Sequence, residues 1–184
     1  KHQVAVANSF RYPKARRTGG SWRRRLSERA VCRARRPLRD AGRLGLGAAC
    51  LGACKELLEM STRFAKERKQ FGEPIANFQA VQFMLAEMAA LIYEVESIVY
   101  RTAWLYDRGE CTPRHSAIVK LVSSNALDTC VDHAMQIHGG MGYSRELPIE
   151  RFYRDSRINR IFEGTSEIQK LVIARDVIKH NGIV

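Results

Sequence analysis

Arg157-Ile-Asn-Arg-Ile-Phe-Glu163-Gly-Thr-Ser-Glu-Ile-Gln-Lys170 is the stretch whose reading decides the fold. Glu163 stands between apolar Ile161 and Phe162 and a small Gly164-Thr165 step, after which an amphipathic helix starts. Thr165 or Ser166 caps that helix, so a carboxylate sits just ahead of its N-terminus. A carboxylate held against apolar neighbours loses hydration, and the loss disfavours its charged form and suits it to general-base work near neutral pH. An acidic residue favoured near a helix N-terminus by the macrodipole is the plainer alternative.

Outward from this stretch the chain reads as helices. Residues Ser166 to about Lys179 form the last, and a short one surrounds Ile149–Arg154. Upstream, Pro113 opens a helix carrying Ala117, Ile118, Leu121, Val122, Ala126, Leu127, Cys130, Val131, Ala134 and Ile137, and Gly139-Gly140 closes it. Another runs from about Phe78 to Arg108, with an unbroken apolar stripe from Val81 to Leu105 in which Met84 and Met88 read as core filler. The first starts near Asp40 and ends near Lys69–Gly72, punctuated by Pro74. Its Gly45, Gly47 and Gly52 lower helix propensity and allow close approach of a neighbour. No convincing strand is visible. The fold class is therefore all-α, an antiparallel four-helix-type bundle of long helices with short connections.

The net charge of +12 belongs to one end of the chain. Within residues 1–39 every side chain charged at pH 7 except Glu28 is Lys or Arg, and the remainder is balanced. A nucleic-acid or phospholipid arm is one reading of Arg16-Arg17, Arg23-Arg24-Arg25 and Arg33-Ala-Arg35-Arg36. With few apolar residues and no periodicity, the expectation is instead a disordered or non-native extension, such as a fragment or a misread frame leaves at its start. The first residues are Arg-rich like a mitochondrial presequence but lack an apolar face. Cys32, Cys50, Cys54, Cys111 and Cys130 form no zinc spacing, and Cys50 and Cys54 read as buried free thiols in a reducing compartment. No metal site and no membrane span is expected.

Phe162-Glu-Gly-Thr-Ser-Glu-Ile-Gln169, with Gln136-Ile-His-Gly-Gly-Met-Gly-Tyr143, Arg154-Asp-Ser-Arg-Ile158 and Glu67-Arg68-Lys-Gln-Phe71-Gly72 upstream, closely resembles the acyl-CoA dehydrogenase family. The resemblance runs from about Asp40 to the C-terminus and covers only that family's C-terminal helical domain, so residues 40–184 are expected to be that domain. It is closest to straight-chain, short- to medium-chain members. It implies FAD-dependent oxidation of an acyl-CoA to the trans-2-enoyl-CoA, with electron-transfer flavoprotein as acceptor and a homodimer or homotetramer sharing FAD across subunits. Glu163 is then the base that takes the α-proton. Some members carry that base one residue before the Arg of an Asp-x-x-Arg sequence. In Asp40-Ala-Gly42-Arg43 that place is Gly42, so no carboxylate competes.

The resemblance further implies that Arg68, Phe71, Gln79, Gln136, Gly139 and Gly140 contact FAD, with Thr165 and Glu167 beside the flavin. Arg43, Gly164 and Arg175 would face the substrate, while His138 is structural. The compartment would be the cytoplasm in a bacterium or the mitochondrial matrix in a eukaryote. A truncated, inactive assembly fragment is the alternative, and a basic nucleic-acid-binding protein acting through residues 1–39 is a further one.

Overall fold

The computed structural model describes residues 36–182, with side chains from residue 40 onward, so the expected basic extension lies outside the residues whose side chains are described. Residues Pro37–Val184 cluster as one compact unit. Four principal helices build it: α1 (Arg36–Glu67), α2 (Gln79–Asp107), α3 (Pro113–His138) and, after the shorter α4 (Gly140–Tyr143) and α5 (Ile149–Ser156), α6 (Ser166–Lys179). The all-α expectation holds. The differences are small: β1 (Lys69–Gln70) pairs antiparallel with β2 (Glu73–Pro74), and the Gly139-Gly140 break continues into the single turn of α4. A two-residue ladder closing a tight turn has no period long enough to be read in a sequence.

Side-chain contacts fix the directions. Lys55 of α1 bonds Glu96 of α2 at 2.5 Å, and Glu87 of α2 meets His133 of α3 at 2.7 Å. At the other end Asp40 of α1 accepts from Ser116 of α3 at 2.7 Å. Thus α1 and α3 run the same way with α2 antiparallel to both. Arg114 of α3 pairs with Asp176 of α6 at 3.3 Å, and Arg160 pairs with Asp128 of α3 at 2.7 Å, which makes α6 antiparallel to α3.

The core is the shared apolar face of α1, α2 and α3. Leu57, Cys54, Met88, Val95, Val119, Cys130 and Val131 are buried there, each large side chain contributing about 1.5–3 kcal/mol by leaving water. Met88 is the expected filler, and Met84 packs partly buried beside the same core. Burial pushes the Cys50 thiol up to about 12, so this expected buried thiol stays protonated and unreactive. Of Gly45, Gly47 and Gly52 only Gly47 serves close packing. A Cβ there would stand 2.3 Å from Val119 Cγ1, whereas Gly45 and Gly52 face open space. Gly45 and Gly52, seven residues apart, share one face of the helix, and Gly47 lies on the opposite face with Cys50, Leu51 and Cys54.

Two histidines make the unit acid-sensitive. His115 Nδ1 accepts from the Thr112 backbone N–H at 3.1 Å in the capping box that opens α3. His138 is buried, and its Nδ1–H donates to Ala134 O at 2.8 Å. Burial, helped by Arg114 and Arg101, lowers the His115 pKa, and burial lowers that of His138. Because both folded values lie below the unfolded 6.5, the unfolded chain binds these protons first. Stability is then fully present above 6.5 and is lost as pH falls through the folded values. Urea midpoints are expected to fall steadily from about pH 7.5 to about pH 5.5, and His138→Gln should flatten part of the slope. A slope identical in wild type and His138→Gln would remove His138 as a source.

Candidate functional site

The residues singled out in the sequence gather at opposite ends of α1. At its start lies the turn between the 3-10 segment Arg157–Arg160 and α6. Glu163 has φ +54° and Gly164 φ +90°, two successive left-handed residues that swing the chain into the helix. A non-glycine residue there costs about 1 kcal/mol, so the turn needs outside support. Gln169, fully buried on α6, gives it: Nε2 donates to Glu163 O at 3.1 Å and to Gly164 O at 2.9 Å. Arg43 Nε adds a long contact of 3.5 Å to Glu163 O. Gly164 is required twice over, by its φ and because a Cβ would come within 2.5 Å of Gln169 Nε2.

The Glu163 side chain is thereby left free of the bonds that hold its backbone. Its carboxylate faces α1 at Gly42, where an ideal Cβ would lie 3.4 Å from Oε2. Arg43, beside it, contacts Asp40 at 3.7 Å, and Asp40 is anchored on Ser116. Of the two possible caps it is Thr165 whose hydroxyl accepts from Ile168 N, at 3.4 Å. A bond from its own backbone N–H and one from the Thr165 hydroxyl hold the Glu167 carboxyl below its ordinary range, as a helix N-terminus favours.

One expectation fails here. Ile161 and Phe162 are 49% and 45% exposed and Glu163 is exposed, so these neighbours do not enclose the carboxylate in this chain. Adjacent residues in a left-handed turn point apart, and an apolar wall must come from elsewhere. Arg175 is also exposed, roughly 13 Å along α6 from Ser166, and does not join the turn.

The second gathering lies at the far end of α1, roughly 39 Å from Gly42 by the helical rise. There a groove of about 780 Å³ is lined by Arg68, Phe71, Gln136, Gly139 and Gly140 among others. Gln79 is exposed and outside this lining, because it opens α2 one residue past Phe78, which does line it. Phe71 has φ +54° and is 95% exposed, its ring edge-on to Phe78 at 6.1 Å. His138 lies against Phe64 at 4.4 Å between centroids and also lines the groove. Gly139, at φ +57°, has no atom within 4 Å of a would-be Cβ and presents bare backbone at the rim. Among the described residues no group of three His, Cys, Asp or Glu side chains is placed to hold a metal ion.

Sequence reasoning missed Gln169 and Lys120. Lys120 is the one charged side chain amid the apolar residues of α3 from Ala117 to Val122 and is fully buried, a signal that was available. Gln169 closes the Phe162–Gln169 motif, but a glutamine in an amphipathic helix reads as surface and no role was drawn from it.

Known proteins share this arrangement. The pattern of the acyl-CoA dehydrogenase C-terminal domain matches residues 38–178. The probable acyl-CoA dehydrogenase YngJ of Bacillus subtilis is 45% identical over 140 residues, covering 76% of this chain and 37% of that protein. The caffeyl-CoA reductase-Etf complex subunit CarC of Acetobacterium woodii is 40% identical over 140 residues, covering 76% and 37%. The solved acyl-CoA dehydrogenase complexed with FAD from Bacillus anthracis superposes with a TM-score of 0.73 at 39% identity, over 79% of this chain and 29% of that one. The chain thus spans 37% of the length of either curated relative. With the domain pattern matched across all four principal helices, the chain belongs to the acyl-CoA dehydrogenase family and contains its C-terminal helical domain.

Proposed function

We propose that this chain contributes the catalytic base and part of the flavin site to FAD-dependent oxidation of a saturated acyl-CoA to its trans-2-enoyl-CoA. The observation that carries the reading is the Glu163 carboxylate, presented from a turn held only through its backbone and facing side-chain-free Gly42. Glu163 takes the α-proton as the double bond forms. Bound FAD supplies the acceptor for the hydride leaving the β-carbon. Thr165 and Glu167 stand beside the flavin, and Arg43 and Gly164 border the thioester. Arg175, apart from them, is proposed for the CoA portion.

The groove fits the other half of a dinucleotide. Arg68 offers a fork of donors to phosphate, Phe71 an exposed ring, and Gln136 with the bare Gly139-Gly140 backbone a close approach. Gln79, at the same end, is the outlying member of this proposal. The groove and the Glu163 turn are too far apart for one dinucleotide to touch both in the same chain. FAD is therefore shared between copies in a homodimer or homotetramer. The exposed Phe83, Tyr93, Tyr100 and Trp104 along α2 support self-association. Likeness to a subunit of an Etf complex supports electron-transfer flavoprotein as the electron acceptor. The family match beginning at residue 38 supports dividing the chain into an extension, 1–39, and a helical domain, 40–184. No described helix is long and apolar enough to cross a membrane.

The test is the visible spectrum of the purified chain mixed with FAD, followed by anaerobic addition of straight-chain acyl-CoA of several lengths. Retained flavin that bleaches is the expected result, and the length that bleaches it fastest names the substrate. A folded helical chain that retains no flavin would leave the assembly-fragment reading in its place.

A further inference from the structure

Three buried polar atoms where α3 and α6 pack meet no hydrogen-bond partner among the described residues: Lys120 Nζ, Ser166 Oγ and Gln169 Oε1. Their placement is not scattered. The Arg114–Asp176 pair fixes the antiparallel register of this helix pair, and Asp128 of α3 holds Arg160 in the segment ahead of α6. At equal rise along both helices, Lys120 comes level with Gln169 to within about one residue. Lys120 lies within electrostatic reach of Arg43 and Cys50 of α1 and of Glu167 and Arg160, and Arg43, Glu167 and Arg160 surround the Glu163 turn. Gln169 spends its Nε2 on the carbonyls of Glu163 and Gly164, which turns its Oε1 inward toward α3. A buried ammonium without an acceptor and a buried amide oxygen without a donor are each costly, and the two defects answer one another.

We propose that Lys120 is a positioning residue for the Glu163 turn. Its ammonium, bridged by internal water to Gln169 Oε1 and flanked by Ser166, locks the orientation of the Gln169 amide. Without that lock the amide rotates, Nε2 leaves the two carbonyls, and the left-handed pair Glu163-Gly164 loses its support. Lys120 never touches substrate; it acts through Gln169. The catalytic meaning of this arrangement rests on Glu163 being the base, but the arrangement itself does not.

The experiment is side-chain amide hydrogen exchange by NMR on the full chain. In Lys120→Met the Gln169 amide protons are expected to exchange about tenfold faster, while backbone amides of Met88 and Val95 in the core keep their protection. Lys120→Arg, which retains donors at the same depth, should recover most of the difference. Unchanged Gln169 exchange in Lys120→Met overturns the proposal. So does acceleration that spreads equally to Met88 and Val95, which marks a lysine that merely holds helices together. If Lys120→Met does not fold, a high-resolution crystal structure of the wild type decides. An ordered water about 3 Å from both Nζ and Oε1 supports the lock, and Nζ bonded to another acceptor refutes it. None of these readouts needs flavin or thioester. Turnover surviving in Glu163→Gln would therefore sink the assignment of the base and leave the Lys120 result standing.

Discussion

Glu163→Gln is expected to lower turnover by about a thousandfold or more while flavin retention stays at the wild-type level. Glutamine matches the shape of glutamate but cannot take a proton from carbon. The turn itself should survive, because Gln169 and Arg43 hold the Glu163 carbonyl and not its carboxylate. Loss of activity without loss of flavin is thus what a base predicts, whereas a residue that merely shapes the pocket would lower both. Stopped-flow bleaching of the bound flavin by acyl-CoA measures the step directly, free of product release. A variant within about tenfold of wild type would remove Glu163 from the chemistry.

Gly42 supplies the positive control. A side chain started there meets the Glu163 carboxylate at ordinary van der Waals distance, so a Glu at 42 reaches the same space once residue 163 is emptied. Glycine at 163 suits its φ of +54°. Gly42→Glu combined with Glu163→Gly should therefore recover measurable bleaching that Glu163→Gly alone lacks. No recovery, in a double variant that still binds flavin, would show that position 42 does not reach the reacting carbon.

The four principal helices were legible because their apolar positions recur at three and four over long spans. The ends of α3 and α6 were also marked, by Pro113, Gly139 and Thr165. The glycines of α1 were legible as a group and not singly. Gly47 shares the face of Cys50, Leu51 and Cys54 while Gly45 and Gly52 lie opposite, but how closely the rotation of α1 brings Gly47 onto α3 is set by tertiary packing. The site was legible at Glu163 and at Gly42 through motif spacing. What stayed hidden was the support: a glutamine inside the motif whose burial and bonds to the Glu163 and Gly164 carbonyls only the fold shows, and a lysine whose worth lies in the register of α3 against α6. The exposure of Ile161 and Phe162 was hidden for a related reason, since sequence adjacency says nothing of where a left-handed turn sends its side chains.

That rotation of α1 can be weighed through Gly47→Ala, which should destabilise the unit by about 3 kcal/mol, against the usual gain for alanine in a helix. The added methyl would stand 2.3 Å from Val119 Cγ1 and 3.2 Å from Ser123 Oγ. Val119 is β-branched and fully buried, so it has neither a free rotamer nor open space to move into. For a domain of this size the cost corresponds to a fall in melting temperature of roughly 6–12 °C. Gly45→Ala is the opposite case on the same helix. With nothing within 4 Å of its would-be Cβ, it should gain about 0.5–1 kcal/mol from helix propensity and the stiffer unfolded chain. Val119→Ala removes the atom that clashes and leaves a gap that the alanine at 47 refills. The double variant should therefore be more stable than the sum of its parts by about 2 kcal/mol. Strict additivity in urea titration would mean that α1 and α3 do not meet at Gly47, and with that the placement of Gly42 over the Glu163 carboxylate would fall as well.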